Sequence, residues 1–99
     1  MKKLIIIGGY GNGTVALSTI EDINAAAPNK EWDVLGFLND RETEPINGYP
    51  VLGKVDQESV RRYIEDTEIY FIYTLISVKL NYKFLHRLTD LNIPDYRFA

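Results

Sequence analysis

Ninety-nine residues allow one domain and no second. A 45% hydrophobic and 25% charged content is that of an ordinary globular chain, which sets aside disordered and fibrous classes. Eleven Lys and Arg against fourteen Asp and Glu give a net charge of −3, so no basic surplus exists for nucleic acid or an anionic membrane.

Leu4 to Ile7 is an uninterrupted aliphatic run ending in Gly8-Gly9, the pattern of a strand buried on both faces of a parallel sheet. Thr14 to about Ala27 reads as a helix with Ala16, Ile20, Ile23 and Ala27 on its apolar face and Glu21, Asp22 and Asn24 opposite. Pro28-Asn29 stops it. Trp32 to Leu38 is a second strand and Asn39 to Asn47 a polar loop, with Gly48 and Pro50 as punctuation after it. Tyr49 to Leu52 predicts a short third strand. Asp56 or Gln57 opens a second helix with Val60, Tyr63 and Ile64 on one face. Ile69 to Leu75 is the next strand. Val78 to Leu91 reads as a third helix, with Leu80, Phe84, Leu88 and Leu91 inward and Asn92 and Pro94 as its end. Tyr96 to Phe98 looks like the start of a last strand.

This alternation predicts an α/β fold of Rossmann-like type: three layers, a short five-stranded parallel sheet in the order 3-2-1-4-5, and helices on both faces. Ile69 to Val78 is the most apolar stretch, and its ten residues fall short of the roughly 18 a membrane span needs. The absence of cysteine excludes disulfides, thiolate metal sites and cysteine nucleophiles, and fits a reducing compartment. The expected location is the cytoplasm. The sequence stops on strand-like residues, Phe98-Ala99, which suggests one domain (1–99) of a longer two-domain protein.

Gly8-Gly9-Tyr10-Gly11-Asn12-Gly13-Thr14 lies between the first strand and the first helix. Glycines there let a ligand approach bare backbone, and the next helix offers unpaired N–H groups and the positive end of its dipole. Such a loop holds a pyrophosphate in doubly wound folds; otherwise it is a tight turn. The spelling is neither G-x-G-x-x-G nor Walker A, because position 14 is Thr and the chain has no Gly-Lys-Ser/Thr there. Thr14 is placed to cap the helix or touch a phosphate. The second strand ends in Asn39-Asp40, where dinucleotide folds carry an acid for the ribose. Asn39 is a neutral donor and acceptor, and Asp40 comes later than the usual spacing of about 20 residues past the loop. A nucleoside contact and an ordinary Asn-Asp turn are the two readings.

The opening Lys2-Lys3-Leu4-Ile5-Ile6-Ile7-Gly8-Gly9-Tyr10-Gly11-Asn12-Gly13 resembles that of the PglD/NeuD-type sugar acyltransferases, whose loop reads G-A-G-G-H-G or a close variant. The stretch Glu21-Asp22-Ile23-Asn24, then Trp32 through Gly36-Phe37-Leu38-Asn39-Asp40, is similar to one ending G-F-x-D-D there. Ile46-Asn47-Gly48-Tyr49-Pro50-Val51-Leu52-Gly53 is similar to their I-x-G-x-P-V-L-G, and Tyr96-Arg97-Phe98-Ala99 to the residues before their second domain. The resemblance implies an N-terminal Rossmann-like domain that binds a UDP-sugar in surface-glycan biosynthesis. It also implies a separate left-handed β-helix domain that trimerises, binds acetyl-CoA and carries the catalytic histidine. On it, this chain has no catalytic residue, metal or cofactor of its own and is a monomer or weak dimer.

Carried over, Gly8, Gly11 and Gly13 line the phosphate-sugar side and Asn39 and Asp40 sit at the uridine. Gly9, Tyr10, Asn12, Thr14, Ser77 and Lys79 complete the candidate substrate site. Three places depart from the family: Tyr10 stands for a small residue, Asn12 for the loop histidine, and Leu75-Ile76-Ser77-Val78 for I-G-D-N or I-G-N-N. Two other readings stay open, an NAD(P)-binding module of an oxidoreductase or redox sensor, and a ligand-free structural or interaction domain favoured by the apolar Leu75, Ile76 and Val78, to which a crevice occluded by Tyr10 would point. His86, on the third helix, has no sequence neighbour to complete a dyad or metal set and is read as a surface histidine.

Overall fold

A computed structural model describes residues 2–74 and 91–99. The elements are β1 (Lys2–Ile7), α1 (Asn12–Ala26), β2 (Trp32–Leu38), β3 (Val51–Gly53), α2 (Gln57–Ile64), β4 (Ile69–Tyr73) and a 3₁₀ turn at Asp95–Arg97. The predicted third helix, with His86, lies outside the described residues.

β1 is the centre of a parallel sheet ordered β3-β2-β1-β4. Its aliphatic residues alternate between two cores. Leu4 and Ile6 pack with Leu17, Ile20, Phe37 and Ile46 on the α1 face. Ile5 and Ile7 pack with Leu38, Val55, Val60 and Phe71 on the α2 face. All four are fully buried, which explains why the run is continuous rather than alternating. The expected fold class and the helices on both faces are therefore present.

The five-stranded order is corrected at its far end. Where a fifth strand was expected, Phe98 makes one isolated parallel bridge to Phe71, and Ala99 N–H donates to the Phe71 carbonyl at 2.9 Å. Two residues lower on the same edge the Ile69 carbonyl is taken by Arg97 Nε at 2.7 Å, a side chain replacing the main-chain donor of a strand. The same guanidinium, buried, also donates to the carbonyls of Ile64 and Asp66 at the end of α2. The tight turn after Pro94 carries Arg97 to all three carbonyls.

Two local readings also shift. The inward stripe of α1 is Gly13, Leu17 and Ile20, while Ile23 is exposed. Asn24, expected outside, is half-buried: its side chain accepts from the N–H groups of Glu31 and Trp32 and donates to the Trp32 carbonyl at 2.9 Å. α1 stops at Ala27, held extended (φ −80°, ψ 149°) as expected of the residue before a proline. The third strand is Val51–Gly53, because Ile46 and Tyr49 instead close a two-residue turn in which Asn47 and Gly48 both have positive φ. α2 is capped by Asp56, whose carboxylate accepts from Ser59 N–H at 2.8 Å, with Glu58 in its first turn and Arg61 and Arg62 in its last.

Candidate functional site

The strand register assembles the site. Ile7 stands level with Leu38 on β2 and Tyr73 on β4, so the next residues, Gly8, Asn39 and Thr74, meet at the carboxyl ends of three adjacent strands. The chain runs outward from β1 to β2 and β3 and returns to β4 on the other side of β1. The change of direction between β1 and β4 is where open α/β sheets form their ligand crevice.

Gly8 is gripped from both sides. The Ile7 carbonyl accepts from Thr74 N–H at 2.9 Å and from Thr74 Oγ1 at 2.8 Å, and the Gly8 carbonyl accepts from Asn39 Nδ2 at 3.0 Å. A Cβ on Gly8 would lie 1.9 Å from Thr74 Oγ1, and φ is +149°. Gly13 lets α1 come down against the strand ends: a Cβ there would lie 3.2 Å from the Gly8 carbonyl carbon and 3.4 Å from Phe37. The loop's spelling thus answers to packing as well as to a ligand.

Between these fixed points the loop leaves donors available. Gly8 N–H is used by the Leu38 carbonyl, Thr14 N–H by the Gly9 carbonyl and Val15 N–H by the Gly11 carbonyl. Among the described residues, the amides of Gly9, Tyr10, Gly11 and Gly13 have no acceptor. Helix α1 starts from Gly11 with no side-chain cap and no acid in its first turn, so no carboxylate of that turn offsets the positive end of its dipole. Thr14 Oγ1 donates to the Gly11 carbonyl at 2.9 Å, which bends the loop over rather than capping the helix. Tyr10 is 63% exposed, so it is not folded into the crevice.

Asn39 and Asp40 are engaged with main chain. Asn39 Oδ1 accepts from the N–H groups of Arg41 and Glu42 at 2.8 and 2.7 Å, while its Nδ2 serves Gly8. Asp40 Oδ1 accepts from Val55 N–H at 2.9 Å, tying the tip of β2 to the segment before α2. Thr74 is the site residue that sequence reasoning passed over; its one signal is a hydroxyl at the end of a strand neighbouring the glycine loop. Ser77 and Lys79, with the Leu75-Ile76-Ser77-Val78 segment, lie outside the described residues.

The described residues contain no group of three or more His, Asp or Glu able to hold a metal ion, and no helix long and apolar enough to cross a membrane. A groove of about 580 Å³ opens at the opposite, amino-terminal ends of the strands, lined by Lys2, Lys30, Trp32, Glu68 and Tyr70 among others. There Lys2 Nζ lies 5.5 Å from the ring centres of both Trp32 and Tyr70, so the chain's own cation occupies the aromatic corner. The loop end is the candidate site.

Residues 3–75 match the family of the PglD N-terminal domain. The chain belongs to that family. Among solved structures, the acetyltransferase domain of PglB from Neisseria gonorrhoeae FA1090 is similar, with a TM-score of 0.53 and 22% sequence identity. The likeness covers 94% of this chain and 42% of that one, so this PglD-type domain spans less than half of its structural neighbour. At that identity the likeness is one of fold. No curated protein sequence matches the chain.

Proposed function

We propose that this PglD-type domain binds the nucleotide-sugar substrate of a sugar acetyltransferase, with the diphosphate of a UDP-sugar at the glycine loop. The observation that carries the reading is the set of amides at Gly9, Tyr10, Gly11 and Gly13 with no acceptor among the described residues, at a helix start without a side-chain cap beside the sheet's change of direction. Membership of the PglD N-terminal family and the neighbour's description as an acetyltransferase domain support the reading, and the UDP-sugar is what the resemblance to PglD/NeuD-type acyltransferases implies. The domain's contribution is to hold and orient the sugar, which lowers a transfer barrier by removing translational and rotational freedom. Acyl transfer from acetyl-CoA belongs, on this reading, to a second domain of a longer, trimeric protein.

The dinucleotide reading is weaker. Asn39 carries no charge and both ends of its amide are bonded to main chain, so no free carboxylate stands ready there for a ribose. Calorimetric titration of the folded chain with UDP, a UDP-amino-sugar and NADH separates the two. Saturable heat with the uridine ligands and none with NADH is expected. No heat from uridine ligands at millimolar concentration would overturn the proposal.

A further inference from the structure

Crowding at Gly8 and Gly13 sets the loop in register with the dinucleotide fingerprint, although its spelling differs. In G-x-G-x-x-G the first glycine makes the tight turn off the strand and the third lets the helix pack on it. The second lets main chain come close to the pyrophosphate. Gly8 fills the first role, with φ +149° and no room for a Cβ beside Thr74. Gly13 fills the third, since a Cβ there would lie 3.2 Å from the Gly8 carbonyl carbon and 3.4 Å from Phe37. The second role, midway between them in the pattern, falls on Tyr10.

The fold does not need this tyrosine. Its side chain is exposed, and neither its amide nor its hydroxyl has a hydrogen-bond partner among the described residues. Beside it, Gly11 has φ +90° and open space where a Cβ would stand, so bare main chain is still offered one residue later. A phosphate held by the amides of Tyr10 and Gly11 therefore has the Tyr10 ring as the neighbour of whatever it carries. The nucleoside end of such ligands belongs to the β2 tip, which leaves the sugar end to the loop.

We infer that Tyr10 is a specificity-determining residue: its ring borders the diphosphate and packs on the C–H face of the hexose, while its hydroxyl meets a sugar hydroxyl. The inference rests on the nucleotide-sugar reading and deepens it by naming the side chain that tells a sugar-bearing nucleotide from a bare one. A tyrosine suits that task, because it offers a wide, rigid contact with a polar tip at little entropic cost. It also accounts for a bulky residue at a loop position where the PglD/NeuD-type pattern is small.

The test titrates the full chain with UDP and with UDP-N-acetylglucosamine, as wild type, Tyr10→Phe and Tyr10→Ala. The ratio of the two affinities cancels any change at the uridine or the diphosphate. Tyr10→Ala should lower that ratio about tenfold, the worth of an aromatic contact with its hydrogen bond, and Tyr10→Phe about threefold, the share of the hydroxyl. A ratio in Tyr10→Ala within about threefold of wild type, or a loss in Tyr10→Phe as large as in Tyr10→Ala, overturns the inference and leaves the nucleotide-sugar reading in place. Absence of binding of either ligand by the wild type overturns both. If Tyr10→Ala fails to fold by circular dichroism, the wild type decides by NMR. Nuclear Overhauser contacts between the Tyr10 ring and the pyranose protons support the inference. Contacts with uracil alone, or with neither ring, overturn it.

Discussion

Replacing Gly8 by alanine isolates the constraint that shapes the loop. At φ +149° a residue bearing a side chain is strained by about 1–3 kcal/mol. The added methyl would lie 1.9 Å from Thr74 Oγ1, so Thr74 must rotate and release the Ile7 carbonyl. Displacement and the lost bond add about 1–2 kcal/mol. The total of about 2–5 kcal/mol is a large share of the roughly 5–15 kcal/mol that holds such a domain together. Urea unfolding followed by circular dichroism measures it, and the melting temperature should fall by about 4–8 °C for each kcal/mol. Thr74→Ala alone should cost about 1 kcal/mol, since the Ile7 carbonyl keeps Thr74 N–H. The double variant removes the obstacle along with the bond, so its loss should be smaller than the sum of the single losses by about 1–2 kcal/mol. Additivity within about 0.5 kcal/mol would refute the collision as the cause. Gly11→Ala serves as the control: a Cβ there meets nothing within 4 Å, so it should show conformational strain and no coupling to Thr74.

Arg97→Met should destabilise the chain by about 3–5 kcal/mol in the same assay, because three carbonyls lose their charged donor, and Arg97→Lys should recover less than half. Ser59 N–H holds the Asp56 carboxyl below its ordinary value of 3.8, and Lys3, hydrogen-bonded at 2.8 Å, does the same for Asp66. Each stabilisation is full above the ordinary aspartate range and is lost as pH falls below it. Asp56→Asn, which still caps, should therefore flatten the acid limb of urea midpoints between about pH 2 and 5 while leaving pH 7 stability nearly unchanged. Asn24→Ala removes three hydrogen bonds that pin the start of β2 and should cost about 2–3 kcal/mol, read from the shift in urea midpoint.

Elements whose signal is carried by neighbouring residues were legible. The aliphatic runs of β1 and β2, the proline that ends α1 and the glycine loop between them stand where periodicity and turn chemistry place them. What escaped depends on partners distant in sequence. Asn39 reads as turn or ligand contact until the register sets it beside Gly8, 31 residues earlier. Hydrophobicity does not see Gly13 or Asn24, because one is buried for lacking a side chain and the other is drawn half inward by bonding main chain. The Asn47-Gly48 pair did carry a local signal for a tight turn, which moves β3 two residues later than the apolar pattern suggests. The last segment reads as strand throughout, but among the described residues only Phe98 and Ala99 pair with Phe71, while Arg97 acts through its side chain.

That substitution bears on how the protein keeps apart from copies of itself. β4 reads Ile-Tyr-Phe-Ile-Tyr, five uncharged residues with strong β preference, and lies at one side of the described sheet. Arg97 and Ala99 occupy the outward carbonyls of Ile69 and Phe71, the positions through which a foreign strand would attach. Without those two donors β4 would present a sticky, uncharged border, so Arg97→Met should favour oligomers and fibrillar deposits as well as lowering stability.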